Sequence, residues 1–522
     1  MLVSEEGRVM ALGETEEVLA QIEEDVEVVS LDGKYAYPGF HDSHVHLITG
    51  GFALHSIDLS HVGSREEFVE RVKEGVARVG KGEWVIGFGW DEHDWGGEWP
   101  SAGWLEDVTP DHPILLLRHD MHAGLANYQA LKEAQVTEES KDPPSGRLGR
   151  EPDTGVLNGL LYEYALALVA SRIPTPSVEA RELALDRAAR YLLAQGVTCV
   201  HDMGRIALGP WEQSNPAWND FRELYLPLAD SGRLPLRVHA YLPLGTWKDL
   251  ADFVRSKGFQ HPGGFLSWGG LKEFYDGSLG SRTALMQEAY EDRPEESGEQ
   301  LIARDRLEAL FAASSSQGLS VAVHAIGDRA NLEVSSVFAG GGSSSSAGTG
   351  SRPQHRVEHV QHLGGEGVAR TLARSGAIAS IQPLHMESDV PLLEARLGSR
   401  RSGAAHSFAY RTLLRHGVRL ALGSDWPVVR SDPISAIVAS VFRNTTGTTW
   451  VPEESLSVSE ALLASTRDAA VAATRGHDLG VLQVGRWADL VVLSSDLLAM
   501  ASGGARPLVL HTYVSGRCVH GC

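Results

Sequence analysis

Cysteine is nearly absent from this 522-residue chain: Cys199, Cys518 and Cys522 are the whole set. An odd, sparse set does not form a disulfide framework, so a reducing compartment is expected. Long apolar runs are missing too. None approaches the ~18 residues of a membrane-spanning helix. The opening stretch MLVSEEGRVMALGETEE has no basic region followed by an apolar core, so no secretory signal is read and a cytoplasmic location is expected. Basic residues are outnumbered: Lys plus Arg is 46 against 68 for Asp plus Glu, a formal net charge of −22. That balance argues against a nucleic-acid or anionic-membrane surface. Hydrophobic residues make up 43% and charged residues 22%, which excludes a disordered chain. Histidine, by contrast, is abundant, with 22 copies.

Both ends read as β-structure. GRVMAL and VEVVSL are expected strands near the start, and WADLVVLS and LVLHTYVSGRCV near the end. They predict a discontinuous small β-sandwich built from residues 1–37 and 478–522. Between them the chain alternates. SVEARELALDRAARYLLAQ at 177–195 predicts an amphipathic helix stopped by Gly196. VTCVHD, LPLRVHAYL, GGLKEFYDG, LSVAVHAIGD, HRVEHVQH, AIASIQP and VRLALGSD then follow as short apolar runs with polar ends. This βαβα rhythm predicts an α/β fold with a parallel sheet, a TIM-type (β/α)8 barrel over 38–477. AGGGSSSSAGTGSR at 339–352 is low complexity and reads as a passive surface loop. Deleting 341–350 is expected to change neither stability nor rate.

Barrel strands place functional side chains at their C-terminal ends. The strongest signal there is PGFHDSHVH. His44 and His46 lie at i and i+2, so in a strand both imidazoles face one side. Imidazole is the commonest metal-binding side chain. An isolated HxH is weak, but His324 ends LSVAVH, His359 ends HRVEH, Asp425 ends LALGSD, and Lys272 lies in GGLKEFYDG. A ~250-residue barrel allots ~31 residues to each βα unit. His324 and His359 are 35 apart, one unit, and His359 and Asp425 are 66 apart, two units. His46 and Lys272 are 226 apart, where three units need only about 93. The surplus predicts an insertion at about 50–176. The candidates then fall on strands 1, 4, 5, 6 and 8.

On these blocks, with GGLKEFYDGSLGSRTA and LGSDWPV, the sequence resembles the amidohydrolase superfamily, in its amidohydrolase 3 (YtcJ-like) branch. GFGWDEHDWGG, HDMHAGLAN and TGVLNG are similar to the plant Long After Far-Red type within it. The resemblance implies a barrel beside a small β-sandwich and hydrolysis of carbon–nitrogen bonds other than peptide bonds. It implies one metal on His44 and His46, a second on His324 and His359, and Asp425 touching metal as the proton-transfer group. Lys272 matches a lysine that is carbamylated in many relatives, because a plain lysine is a poor ligand. Met121 stands where the family usually has glycine. The family also usually carries another strand before GRVMALG, so the sandwich is expected to be one strand short.

The implied chemistry is metal-assisted hydrolysis of a small-molecule amide or amidine, with Asp425 as general base and then acid. One or two divalent ions are expected, zinc first. His122, Arg282 and Trp90 are weaker substrate-binding candidates; a surface histidine, a structural ion pair and ordinary insertion packing compete with them. Trp95 and Trp99 compete in the same way. Asp276 supports the site or forms an Asp-Gly turn. His201 faces the site or is a core histidine, and His41 reads as loop. Expected partners are a small-molecule substrate and, as an assembly left open, a homodimer. Deamination, lactone opening or isomerisation on the same site, and a non-catalytic signalling role, stand as alternatives.

Overall fold

The computed structural model describes residues 1–22, 26–205, 216–341, 353–444, 447 and 449–522. The low-complexity tract lies, from 342 onward, outside the described residues.

Eight short buried runs form one parallel sheet in chain order: β1 (Phe40–Val45), β2 (Val197–Asp202), β3 (Arg237–Pro243), β4 (Leu266–Phe274), β5 (Ser320–Ala325), β6 (Arg356–His359), β7 (Ile378–Ile381) and β8 (Leu420–Leu422). Nearly every strand residue is buried, as expected where both faces of a parallel sheet are covered. The sheet curls shut. Val45 bridges Trp426 in parallel, His46 N–H donates to Trp426 O at 2.8 Å, and Asp425 N–H donates to His44 O at 2.7 Å. Asp42 buckles the same seam. Its buried carboxyl accepts Ser424 N–H at 2.8 Å and the Ser431 hydroxyl at 2.7 Å. The α/β barrel expected from spacing is therefore the fold, with His44, Lys272, His324 and His359 on strands 1, 4, 5 and 6, and His46 and Asp425 just past strands 1 and 8.

Helix Val178–Ala194 packs on this barrel. Ser177 caps it by accepting Ala180 N–H, and Ala184, Leu185, Ala188, Ala189, Leu192 and Leu193 form its buried stripe. Gly196, at φ 80°, turns the chain directly into β2.

The insertion is a six-stranded mixed sheet. Its order is Ile57–Asp58, Val85–Trp90, Ile114–Arg118, Ala123–Ala126, Leu157–Glu163, Gly146–Arg150. Trp90, Trp104, Phe68 and Leu116 belong to its own apolar cluster. Its loops and strand ends reach over the C-terminal mouth of the barrel.

A four-stranded antiparallel sheet combines the two ends: Arg517–His520, Val509–Val514, Leu490–Leu493 and Tyr35–Pro38. Leu2–Val3 pairs with Val9–Ala11 in a separate two-stranded sheet. VEVVSL, expected as a strand, is not one. Residues 26–30 have no regular structure, and Val28 is 71% exposed. The edge beside Leu490–Leu493 is taken by Tyr35–Pro38 instead. Cys518 and Cys522 lie close together at the C-terminal end, with Cα atoms 6.2 Å apart. Cys199 is buried and free.

Candidate metal centre

β1 carries His44 and His46 to the barrel mouth, both at most 3% exposed. Each ring is held by its Nδ1. His46 Nδ1 lies 2.7 Å from Gly204 O, and a carbonyl can only accept, so Nδ1 bears the proton. His44 Nδ1 lies 2.7 Å from Glu358 Oε2. Burial opposes ionisation of Glu358, but Arg356 and His44 hold its carboxyl down to about 2, so it too accepts. Both Nε2 lone pairs therefore point the other way. Each is 3.3 Å from Asp425 Oδ1, an oxygen with no hydrogen-bond donor. Asp425 reaches this position from a left-handed backbone (φ 66°) after β8. Gly423 lets the strands close, since a Cβ there would stand 2.6 Å from His44 N.

Electrostatics agree with a ligand set. Burial and the Lys272 charge push His44 down to about 4, so it is the neutral imidazole that binds metals. Burial disfavours the Asp425 carboxylate, and only a proton on a facing ring would hold it below the usual range. Two lone pairs and an anionic oxygen facing one another, buried and without a donor, fit a divalent cation.

Around Asp425 Oδ2 a second group gathers. His359 Nδ1 is 4.0 Å away and His385 Nε2 is 3.7 Å away. The His324 ring centroid lies 4.3 Å from that of His359, while its Nε2 donates to Gly277 O at 3.1 Å. Lys272 is fully buried and its Nζ has no hydrogen-bond partner. Burial pushes that amine down to about 8. Asp276 accepts Ile326, Gly327 and Leu285 N–H groups, tying the loop after β4 to that after β5. It is more than a turn residue.

The insertion supplies the roof. His122 Nδ1 is 3.0 Å from both Glu163 oxygens, and its ring faces His324 at 5.2 Å. Burial disfavours the imidazolium, but Glu163 and Asp120 push His122 up to about 9. Met121 adopts φ 59°, the conformation for which the family's glycine is suited. Asp120 accepts the Ser278 and Ser281 hydroxyls and an Arg118 N–H. Arg118, fully buried, also pairs with Asp91 and Glu92. Two cavities open from Asp425. One has apolar walls from Met121, Leu166, Phe274, Leu301 and Val428. The other is lined by His119, Gln361, His385, Ser388 and Asp389.

Other candidates lie elsewhere. Arg282 is paired with Asp292 at 2.7 Å and lines a separate arginine-rich cavity. Trp90 donates to Leu116 O inside the insertion core and is on the wall of neither central cavity. Trp95 and Trp99 pack against it. His201 sits within the barrel, where its Nδ1 accepts from Arg356 at 2.8 Å. His41 is a buried β1 residue rather than loop, because the strand begins one position earlier. Sequence reasoning missed Glu358, Glu163, Asp120 and His385. Glu358 adjoins His359 in a motif already singled out. His385 lies just past AIASIQP, at a strand end where the other ligands were sought.

An eight-stranded barrel with a histidine–aspartate cluster at its C-terminal mouth is the architecture of metal-dependent hydrolases. The chain belongs to the amidohydrolase family, which it matches over residues 27–520. It is 38% identical to Protein LONG AFTER FAR-RED 3 of Arabidopsis thaliana, over 98% of this chain and 86% of that protein. It is 27% identical to the N-substituted formamide deformylase of Arthrobacter pascens, over 98% and 93%. An uncharacterized metal-dependent hydrolase from Pyrococcus horikoshii superimposes with a TM-score of 0.73 at 28% identity, covering 96% of this chain and 94% of that one.

Proposed function

We propose that the chain is a hydrolase that cleaves a carbon–nitrogen bond, other than a peptide bond, in a small amide or amidine, using a divalent ion at His44, His46 and Asp425. The observation that carries this reading is the convergence of two imidazole lone pairs on an undonated carboxylate oxygen in a buried pocket. A bound divalent ion would lower the pKa of water toward ~7 and polarise the substrate carbonyl. The remaining work falls to the chain. Glu358 and the Gly204 carbonyl orient the ligand rings. Asp425, ionised at neutral pH, takes a proton from the attacking water and returns it to the leaving nitrogen. His122, kept protonated by Glu163, faces the same space and can donate a hydrogen bond to the substrate oxygen. Met121, His122, Glu163 and Leu166 of the insertion line the pocket.

A nitrogen and oxygen ligand set with no thiolate suits zinc, iron, manganese or nickel, and zinc is the first choice. The unpartnered Lys272 Nζ supports a carbamate there, since its lowered pKa leaves a neutral amine fraction able to take up carbon dioxide. Similarity to a formamide deformylase supports the bond type. We divide the chain into a barrel at 38–477 and a β domain from 1–37 and 478–522.

The test is metal-depleted protein reloaded with zinc or manganese and assayed on N-substituted formamides, cyclic amides and amidines, with lactones and aminopurines alongside. Metal-restored amide or amidine hydrolysis is expected, abolished in His44→Ala without loss of fold. Turnover of lactones or aminopurines alone would replace the proposed bond type. A chain that binds no metal and turns over nothing would instead be a non-catalytic relative.

A further inference from the structure

We propose that His385, which follows β7, is a metal ligand that with His359, beside Asp425, would hold a second cation. The inference rests on the reading that Asp425 faces a cation. It adds a ligand from a strand that contributes none to the set expected from strands 1, 4, 5, 6 and 8.

The local sequence delivers the ring. After Ile381 the run Gln-Pro-Leu-His turns at Pro383 into a single 3-10 turn, Pro383–His385. The strand therefore folds back over the barrel mouth instead of running out from it. His385 is 7% exposed and its Nε2 has no hydrogen-bond partner. That nitrogen stands 3.7 Å from Asp425 Oδ2, and the ring lies nearly parallel to His359, with centroids 5.9 Å apart.

A relay sets which nitrogen carries the proton. Gln361 Nε2 donates to Asp389 Oδ2 at 2.6 Å, which commits the amide orientation. The amide oxygen then faces His385 Nδ1 at 3.2 Å and can only accept. Nδ1 therefore bears the proton and Nε2 presents a lone pair toward Asp425. His359 Nδ1 has no hydrogen-bond partner either. The three candidate ligand atoms lie within 4.8 Å of one another, and His359 Nδ1 and His385 Nε2 are both buried without a hydrogen-bond partner. Such a group is costly when buried unless a cation fills it.

Backbone strain marks the same residues. His359 sits at φ 74° and Asp425 at φ 66°, both in the left-handed region that non-glycine residues avoid. In both, the strand end is bent so that its side chain meets the shared centre. Two imidazoles and a carboxylate suit zinc, cobalt(II), manganese(II) or iron(II).

The experiment is metal stoichiometry and affinity, independent of turnover. Metal-free protein is titrated with zinc and with cobalt(II), dialysed and analysed for metal, with circular dichroism and thermal melting as folding controls. Wild type is expected to hold two equivalents. His385→Leu should hold one and lose part of the cobalt absorption, and His44→Ala should retain the equivalent at His385. Gln361→Ala, which leaves the ligand in place but frees its ring, should weaken the second equivalent 10–100-fold. Two equivalents with unchanged affinity in His385→Leu would overturn the proposal, as would wild type saturating at one. Wild type that binds no metal would sink the hydrolase reading along with it.

Discussion

Glu358 shows how much a single side chain decides in this site. It has no place among the metal-facing atoms, yet its Oε2 receives both the His44 Nδ1–H and an Arg356 N–H. Replacing it by Gln removes the anion that fixes the His44 tautomer. Glu358→Gln should lower metal affinity 10–100-fold with little change in fold, read by competition with a chromophoric chelator. Asp42 offers a pH test. Burial raises its carboxyl to about 6, against its ordinary value of 3.8. The folded state therefore holds a proton that the unfolded chain releases at lower pH. The stability this contributes is present below pH ~4 and is lost as pH rises through about 6. The melting temperature of wild type relative to Asp42→Asn should fall across that window. A constant difference from pH 4 to 7 would refute the assignment.

At the scale of elements, the insertion and the barrel meet through Arg118. It closes the strand Ile114–Arg118 and holds Asp91, Glu92 and Asp120 at once. Asp120 in turn accepts the hydroxyls of Ser278 and Ser281 on the loop after β4. Arg118→Met would leave three carboxylates crowded together, two of them at most 10% exposed on the side chain. Removing one partner of a buried ionic group costs about 3–5 kcal/mol. A lowered unfolding midpoint is expected, together with reduced turnover, because Asp120 and His122 share the displaced loop. Unchanged kinetics in a destabilised variant would show that the insertion roof does not position the site.

The whole molecule depends on a joint below the barrel. Arg237, at the start of β3, donates to both oxygens of Asp489 at 2.6 and 2.9 Å and to the Ser515 hydroxyl at 2.8 Å. The Thr512 hydroxyl caps Leu193 O at the end of helix Val178–Ala194. Asp489→Ala should strand the buried guanidinium and lower the thermal midpoint, while metal stoichiometry at the far mouth stays at the wild-type value. Loss of bound metal in a folded Asp489→Ala protein would contradict that separation.

Much of this was legible in the residues themselves. Strand order, the insertion and the placement of His44, His46, Lys272, His324, His359 and Asp425 follow from apolar runs with polar ends and the length of a βα unit. Those are local properties, and periodicity records them directly. Other features came only with tertiary structure. VEVVSL has the composition of a strand, yet residues 26–30 pair with no strand among the described residues and it is Tyr35–Pro38 that joins Leu490–Leu493. Arg282 and Trp90, read from sequence as substrate-binding candidates, meet Asp292 and Leu116 O in the fold, contacts that spacing does not reveal. His385, Glu358 and Glu163 act through partners 24 to 314 positions away in the chain. A side chain's proton, lone pair and pKa depend on what the fold sets against it, and that opposition is a contact between distant segments that sequence spacing does not carry.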